Sequence, residues 1–470
     1  MVLTPEEAVS IVKDRLLPAW DSERQRLDRI DHWYRWSQEE IPIPRRATAE
    51  LRKLRELSKT PWLHLVVTSA AQCLYVDSYR SPLDPPSLAP IEEEKPRGPW
   101  RTWMANDMPN RQIAIHRAAL AYGYCFVKVM PGVDSTGEPT SVMRGVSPRK
   151  MYALNADPAE DDYPIFAVQV EGPPSSRIVR LFDDTAVYNF TADMTGNYEV
   201  KFLDYREHGA GVCPIVRYCN QLDLDGRTPG EVEPFIPAAQ RINKSAFDRL
   251  VTQHFASWKV RYVTGMAEPD SDAEKQAAKL QLRQEDLLVA EDPDTKFGTL
   301  DATPLDGFIS AWRADIEALA AASQTPTHEL TGQLVNLSAE ALAAARAALT
   351  QRVYERQQTF GRSHTQALKL AAFLEGNNDY AQDVNGRVTW QDMEVRSMSQ
   401  AVDALGKAAQ MLMVPPAALW GRIPGVEKSD VDEWRRLAEE SDPIERMRNE
   451  FGSVAASTST ERVPDSDPLA

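Results

Sequence analysis

The chain has 470 residues, of which 43% are apolar and 26% charged, so its composition is that of an ordinary globular protein. This length suggests about three structural units. The 53 lysines and arginines against 69 aspartates and glutamates leave a formal net charge of -16. That balance excludes a surface that grips nucleic acid tightly, because phosphate binding depends on clustered cations.

Neither secretion nor a membrane span is expected. The N-terminal sequence MVLTPEEAVS lacks the basic and apolar parts of a signal peptide, and no apolar run approaches the roughly 20 residues of a spanning helix. The four cysteines form no CxxC pair, which favours a reduced, cytoplasmic setting over a disulfide framework. We expect all four to be core residues: Cys73, Cys125, Cys213 and Cys219.

The first part of the chain predicts helices. Thr4-Pro5-Glu6-Glu7 is a capping box, and Pro18 is expected to split the helix that it begins. The helices predicted here cover Val9 to Leu17, Ala19 to Trp36, Thr48 to Leu57, Pro61 to Leu74 and Asn106 to Tyr122. A proline-rich stretch from Val76 to Trp100 is expected to be irregular and exposed.

Short β-branched and aromatic runs then alternate with Gly, Pro, Asp and Asn. The predicted strands are Tyr124 to Met130, Tyr163 to Val170, Arg177 to Phe182, Ala186 to Phe190 and Tyr198 to Tyr205. Together they predict a small antiparallel sheet that packs on the preceding helices.

Two helices, Ile236 to Trp258 and Thr303 to Ala322, enclose a mixed segment with strand-like runs at Val260 to Thr264 and Asp286 to Ala290. This pattern predicts a stalk with a tip. The apolar stripes of the stalk suit packing within one chain or against neighbouring copies. We favour neighbouring copies, because a short helical hairpin with a wide apolar face needs further partners.

A polar segment, Ser323 to Ser338, leads into a long helical pattern from Ala339 to Glu375, about 55 Å if unbroken. Gly361 is the expected site of a bend. Shorter helices are predicted at Ser399 to Met413, Pro416 to Trp420 and Asp430 to Glu440, and the tail from Ser453 to Ala470 is predicted to be disordered.

Catalytic motifs are missing from the sequence. There is no GxxxxGK[ST] loop, and the seven histidines form no HExxH pair, so we predict no enzyme, no cofactor and no metal site. Most histidines are expected to be solvated or at the edge of the core. The acidic residues Asp157, Glu160, Asp161 and Asp162 could hold a divalent cation, but we interpret them as a solvated loop.

Three groups of residues, in this order, resemble the portal proteins of siphovirus-like tailed bacteriophages, especially those of actinobacterial hosts. They are Asn106-Asp107 through Arg111-Gln112, His116-Arg117-Ala118 and Phe126-Val127-Lys128-Val129; Thr325-Pro326-Thr327 with Asn336-Leu337-Ser338-Ala339-Glu340; and Trp390-Gln391-Asp392 with Arg396-Ser397-Met398-Ser399-Gln400. The resemblance extends over roughly Thr4 to Glu440.

The resemblance implies an α+β, mainly helical fold of portal architecture, with a small antiparallel sheet in the wing and strands in the clip. The implied regions are a wing (1–235), two stem helices (236–258 and 303–322) around a clip (259–302), a tunnel loop (323–337), a long wing-to-crown helix (338–375), a crown (376–450) and a disordered tail (451–470).

The resemblance further implies a ring, usually of twelve subunits, at one capsid vertex, through which double-stranded DNA is packaged and ejected. The implied partners are DNA, bound weakly and without sequence preference, the terminase large subunit, a head-completion or adaptor protein, and the major capsid and scaffolding proteins. No membrane is involved, and the ring is assembled in the host cytoplasm and kept in the virion. The alternatives are another phage structural adaptor without a channel or a cytoplasmic acid/base hydrolase.

The residues expected to face DNA lie in the tunnel loop and the helix after it. The loop offers neutral polar groups that can touch a phosphate backbone without trapping it: Gln324, Thr325, Thr327, His328, Gln333 and Asn336. Arg346, Arg352 and Arg356 on the following helix either face the channel or pair with Glu355 and others on a solvated helix. Both interpretations of these arginines remain open on the sequence.

Overall fold

The computed structural model describes residues 2–37, 41–44, 46–83, 98–133, 137, 139–195, 199–256, 261–264, 296–299, 304–332, 339–391, 398–423, 426 and 428–441. The fold is a mixture of helices and small antiparallel sheets, in agreement with the predicted α+β class.

The helices are α1 (Pro5–Ser10), α2 (Leu17–Tyr34), α3 (Ala49–Leu57), α4 (Trp62–Ala71), α5 (Gly98–Ala105), α6 (Met108–Tyr122), α7 (Ile236–Ala256), α8 (Asp306–Ala322), α9 (Thr327–Thr331), α10 (Ala339–Leu374), α11 (Asn378–Gln382), α12 (Met398–Leu412) and α13 (Lys428–Ser441). Single 3-10 turns lie at Glu233–Phe235, Pro416–Ala418 and Trp420–Arg422. The strands are β1 (Val76–Arg80), β2 (Tyr124–Val133), β3 (Pro139–Val146), β4 (Met151–Leu154), β5 (Phe166–Glu171), β6 (Arg177–Phe182), β7 (Ala186–Asp193), β8 (Glu199–Glu207), β9 (Ile215–Cys219), β10 (Arg261–Thr264), β11 (Lys296–Thr299) and β12 (Arg387–Trp390).

The first helix begins with the predicted capping box. The Thr4 hydroxyl accepts from the backbone N–H of Glu7, and the Glu7 carboxylate accepts from the backbone N–H of Thr4 at 2.9 Å. The predicted split at Pro18 is wrong. A π-helical turn, Ile11–Leu16, joins α1 to α2, and Pro18 lies in the first turn of α2. The wider turn just before Pro18 accommodates its ring and its missing N–H, so the chain stays helical.

Strands β4 to β8 form an antiparallel sheet in chain order. Val12 and Leu16 of the π-helical turn pack on the inner face of this sheet, against Val179, Tyr188 and Phe190. Strand β8 is the outer edge, and its residues are mostly exposed. The short strand β4 was not predicted, because its four residues fall below the length at which alternation is recognisable.

A second sheet has the order β3-β2-β9, and two of its strands escaped prediction. A two-stranded ribbon pairs β1 with β12, so the stretch predicted to be irregular from Val76 begins with a strand. Ser78 and Thr389 meet across this ribbon at 2.6 Å although they lie 311 residues apart in the chain. The partner of β1 is so distant that no local pattern announces it.

The long helix α10 is the centre of the main core. Phe360 and Leu368 pack with side chains from α4, α6, β2 and α8, so the core joins segments that are far apart in the chain. The helix runs through Gly361 without a break. A Cβ at Gly361 would lie 3.5 Å from Nε1 of Trp390, which shows how closely β12 approaches the helix there.

The stalk helices α7 and α8 pack against each other, with Arg241 and Asp315 paired at 2.7 Å. Strands β10 and β11 pair beyond their ends, in the register Arg261↔Thr299. Strand β10 matches the run predicted at Val260 to Thr264, whereas the run predicted at Asp286 to Ala290 lies outside the described residues, as does the predicted disordered tail.

Candidate functional site

The predicted tunnel loop begins with a tight turn after α8. Gln324 adopts a left-handed backbone conformation with φ of 52°, and its side chain is exposed. Thr327 is also exposed and His328 is half-buried, whereas Thr325 is buried and its hydroxyl lies 3.0 Å from that of Ser323. The prediction that Thr325 faces a channel is therefore wrong for this chain. Gln333 and Asn336 lie outside the described residues.

A groove of about 530 Å³ lies between this turn, α8 and the first half of α10. Its lining is small or neutral and polar, with Gln324, Thr327 and His328 at one wall and Ala345 and Ala348 at the other. Glu317 adds a carboxylate. The groove therefore brings together three of the predicted residues on a surface with little attraction for phosphate.

Glu329 anchors the turn to the body. Its carboxylate accepts a hydrogen bond from Ser69 of α4 and pairs with Arg346 of α10 at 3.3 Å. Arg346 is partly exposed, but its charge is matched within the chain. Its part is to hold the loop, since a guanidinium engaged by a carboxylate has less charge to offer a phosphate.

The other two arginines are corrected by the structure. Arg352 and Arg356 are each only 3% exposed, so they neither face a channel nor lie on a solvated helix face. Both pair with the buried Glu231, at 3.9 Å and 2.8 Å. Arg352 also donates to the carbonyl oxygen of Ser323, where the tunnel loop begins. Burial lowers the pKa of Arg352, and the charge of Glu231 opposes that shift.

A buried hydrogen-bonded chain was missed by the sequence. Nε2 of His116 and Nε2 of His364 are 2.7 Å apart, and both side chains are fully buried. The Tyr218 hydroxyl lies 3.0 Å from Nδ1 of His364, and Nδ1 of His116 lies 3.2 Å from the Leu74 carbonyl. This chain ties β9, α10, α6 and the end of α4 together.

One arrangement of protons satisfies every partner in this chain with both imidazoles neutral. Tyr218 donates to His364, His364 donates to His116, and His116 donates to the carbonyl of Leu74. Burial lowers the pKa of His116 to about 4, and burial together with His116 lowers the pKa of His364 well below its usual range. Both histidines are therefore structural and uncharged at neutral pH.

The acidic loop is organised by its own hydrogen bonds. The Asp161 carboxylate accepts from the backbone N–H of Asp157 at 2.8 Å, and Asp162 pairs with Arg362 at 2.7 Å. Within the described ranges, no group of three or more His, Cys, Asp or Glu side chains is placed to hold a metal ion. In that same part of the chain, no helix combines the length and apolarity needed to cross a membrane.

Comparison with known proteins agrees with this structural role. The model of the family described as phage portal protein, SPP1 Gp6-like, matches residues 14–446. The portal protein of Mycobacterium phage D29 is 24% identical over 416 residues, which cover 85% of this chain and 82% of that protein. Portal proteins are structural components of the phage head rather than enzymes, and the family implies an oligomeric ring. This chain belongs to the SPP1 Gp6-like family of phage portal proteins.

Proposed function

We propose that copies of this chain form a closed ring at one capsid vertex, through which the phage genome is packaged and later ejected. In this ring the N-terminal helices and sheets are the wing, α7 and α8 the stem, and the region carrying β10 and β11 the clip. The turn after α8 begins the tunnel loop, and α12 and α13 belong to the crown. The Mycobacterium phage relative supports an actinobacterial host.

The stalk carries this proposal. At its base, Ile242 of α7 and Ile316 of α8 are buried in the body. Towards its far end the cover is lost, because Phe255 is 57% exposed and the first turns of α8, around Gly307 and Ala311, are open. The described part of the chain supplies nothing that covers this end. Neighbouring copies in a ring would cover it, as an oligomer requires of its exposed apolar surfaces.

Charge supports passage of DNA rather than capture. A chain at -16 offers few uncompensated cations, and its predicted loop shows neutral groups at Gln324, Thr327 and His328. Duplex DNA would therefore slide past without the counterion-release energy of tight binding. The packaging motor would be a separate terminase large subunit, with a head-completion adaptor, scaffolding and major capsid protein as further partners at this vertex.

The mass of the purified particle tests the ring. Light scattering or native mass spectrometry is expected to give an assembly of about twelve chains, since identical subunits with one heterologous contact close into rings. A monomer that persists under capsid-assembly conditions would rule the ring out. A compact oligomer without a central hole would instead favour an adaptor without a channel.

Deleting residues 324–335 is expected to leave the ring intact but to lower DNA packaging. The turn is anchored through Glu329, Arg346 and Arg352, yet the body core includes only Leu330 from this stretch. Packaged DNA per particle is the measurement, and ring mass is the control for assembly. Normal packaging by a ring with this deletion would exclude the loop from the DNA path.

A further inference from the structure

A groove of about 1080 Å³ runs beside β12. One wall is the outer side of α10, and residues 386–390 line the other. Successive side chains of a strand point to opposite faces. A groove that touches five consecutive residues therefore follows the edge of the strand, not one face.

That edge of β12 is open. Strand β1 occupies the other edge, and in the described part of the chain no strand pairs on the groove side. The far edge of β1 is closed by Gln112, whose side chain bonds to the backbone of Val76 on both its N–H and its carbonyl. The ribbon can therefore grow only into the groove.

The groove is basic and apolar. Lys369 and Arg387 line it, and among the described residues neither has a carboxylate within ion-pair distance. Val384 is 87% exposed and Phe373 is 45% exposed at its rim. An open strand edge, apolar side chains and two unmatched cations fit an extended, acidic strand with apolar side chains.

Strand β8 has these properties. It is nine residues long, forms the outer edge of its sheet and is exposed along most of its length. It carries the carboxylates Glu199, Asp204 and Glu207, and exposes the apolar side chains of Leu203 and Tyr205. Long exposed edges are covered in most native assemblies, because they offer unpaired backbone groups to other chains.

We propose that β8 of one copy pairs with the open edge of β12 in the next copy, adding a third strand to the β1–β12 ribbon. This inference rests on the proposed ring, in which each contact joins two different surfaces of the same chain. Backbone hydrogen bonds hold the strands together. The carboxylates of β8 lie against Lys369 and Arg387 and orient the strand in the groove.

Charge reversal tests the pairing without knowledge of its register. The groove variant Lys369→Glu/Arg387→Glu and the strand variant Glu199→Lys/Asp204→Lys/Glu207→Lys are each expected to lose the ring peak while remaining folded monomers. The chain that carries all five substitutions is expected to regain the ring, because each reversed groove then meets a reversed strand. Ring mass and thermal unfolding are measured for each.

The matched control is Arg52→Glu/Lys53→Glu, two exposed cations on α3, which is expected to keep the ring. Groove and strand variants that assemble like the unmodified chain would overturn the pairing, as would failure of the combined variant to recover. An unmodified chain that forms no ring contradicts the proposed function itself, which separates the two failures.

Hydrogen exchange tests the backbone pairing. The outward-facing amides of β8 and β12 are expected to exchange at least tenfold more slowly in the ring than in the monomeric groove variant. Equal exchange in ring and monomer would overturn strand addition even if the charge reversals behave as expected.

Discussion

Replacing Glu231 by Ala is expected to lower the free energy of unfolding by about 3–5 kcal/mol, the usual cost of removing one partner from a buried ion pair. Glu231 is 5% exposed and is the carboxylate shared by Arg352 and Arg356. It also accepts from the Asn220 amide at 3.2 Å. Its loss leaves two guanidinium groups in the core without a counter-charge. Urea unfolding at fixed protein concentration measures the change.

An exposed ion pair provides the control. Asp248 pairs with Lys244 one turn away on α7, and both side chains are at least 40% exposed. Asp248→Ala is expected to change stability by no more than about 0.5 kcal/mol, because solvent screens such pairs. Similar losses for the two substitutions would contradict the importance assigned to burial of Glu231.

Acid is expected to weaken the body through His116 and His364. The pKa of each is lower in the folded chain than the ordinary value of about 6.5, so the unfolded chain takes up protons that the folded chain does not. As the pH falls from about 6.5 towards 4, stability should therefore drop by about 1.4 kcal/mol per pH unit for each histidine. Above that range the neutral hydrogen-bonded chain contributes in full.

The variant His116→Gln/His364→Gln isolates this effect from the carboxylates. It is expected to be less stable than the unmodified chain at pH 7.5, because Tyr218 and the Leu74 carbonyl lose their ring-nitrogen partners. The difference should narrow steadily as the pH falls to about 5, since only the unmodified chain loses this contribution. A difference that stays constant with pH would exclude the neutral histidine pair as its source.

Local features of this fold were predictable from sequence. The capping box at Thr4, the end of α6 at Gly123 and the extent of α7 all depend on neighbours within a few residues. Strands β1 and β9 were not, because what makes them strands is a partner far away in the chain. Sequence periodicity carries no information about such pairs.

The candidate site divides in the same way. The exposed polar turn at Gln324 and Thr327 follows from its composition, and the structure places both side chains on the surface. Arg352 and Arg356 have the composition of a solvated helix, yet Glu231 draws them into the core. His116 and His364 lie 248 residues apart. A helical stripe that places His364 among Phe360, Leu368 and Ala371 was the available signal for its burial.

The most direct test of the central claim is an electron microscopy image of the assembled chain with its symmetry determined. The proposed function predicts a closed ring of about twelve copies, with stalks packed side by side around an axial channel wide enough for a DNA duplex. The described turn at Gln324 and Thr327 should face that channel, with Arg352 and Arg356 enclosed in each subunit. A particle without a central opening, or stalks that stand apart from their neighbours, would contradict it.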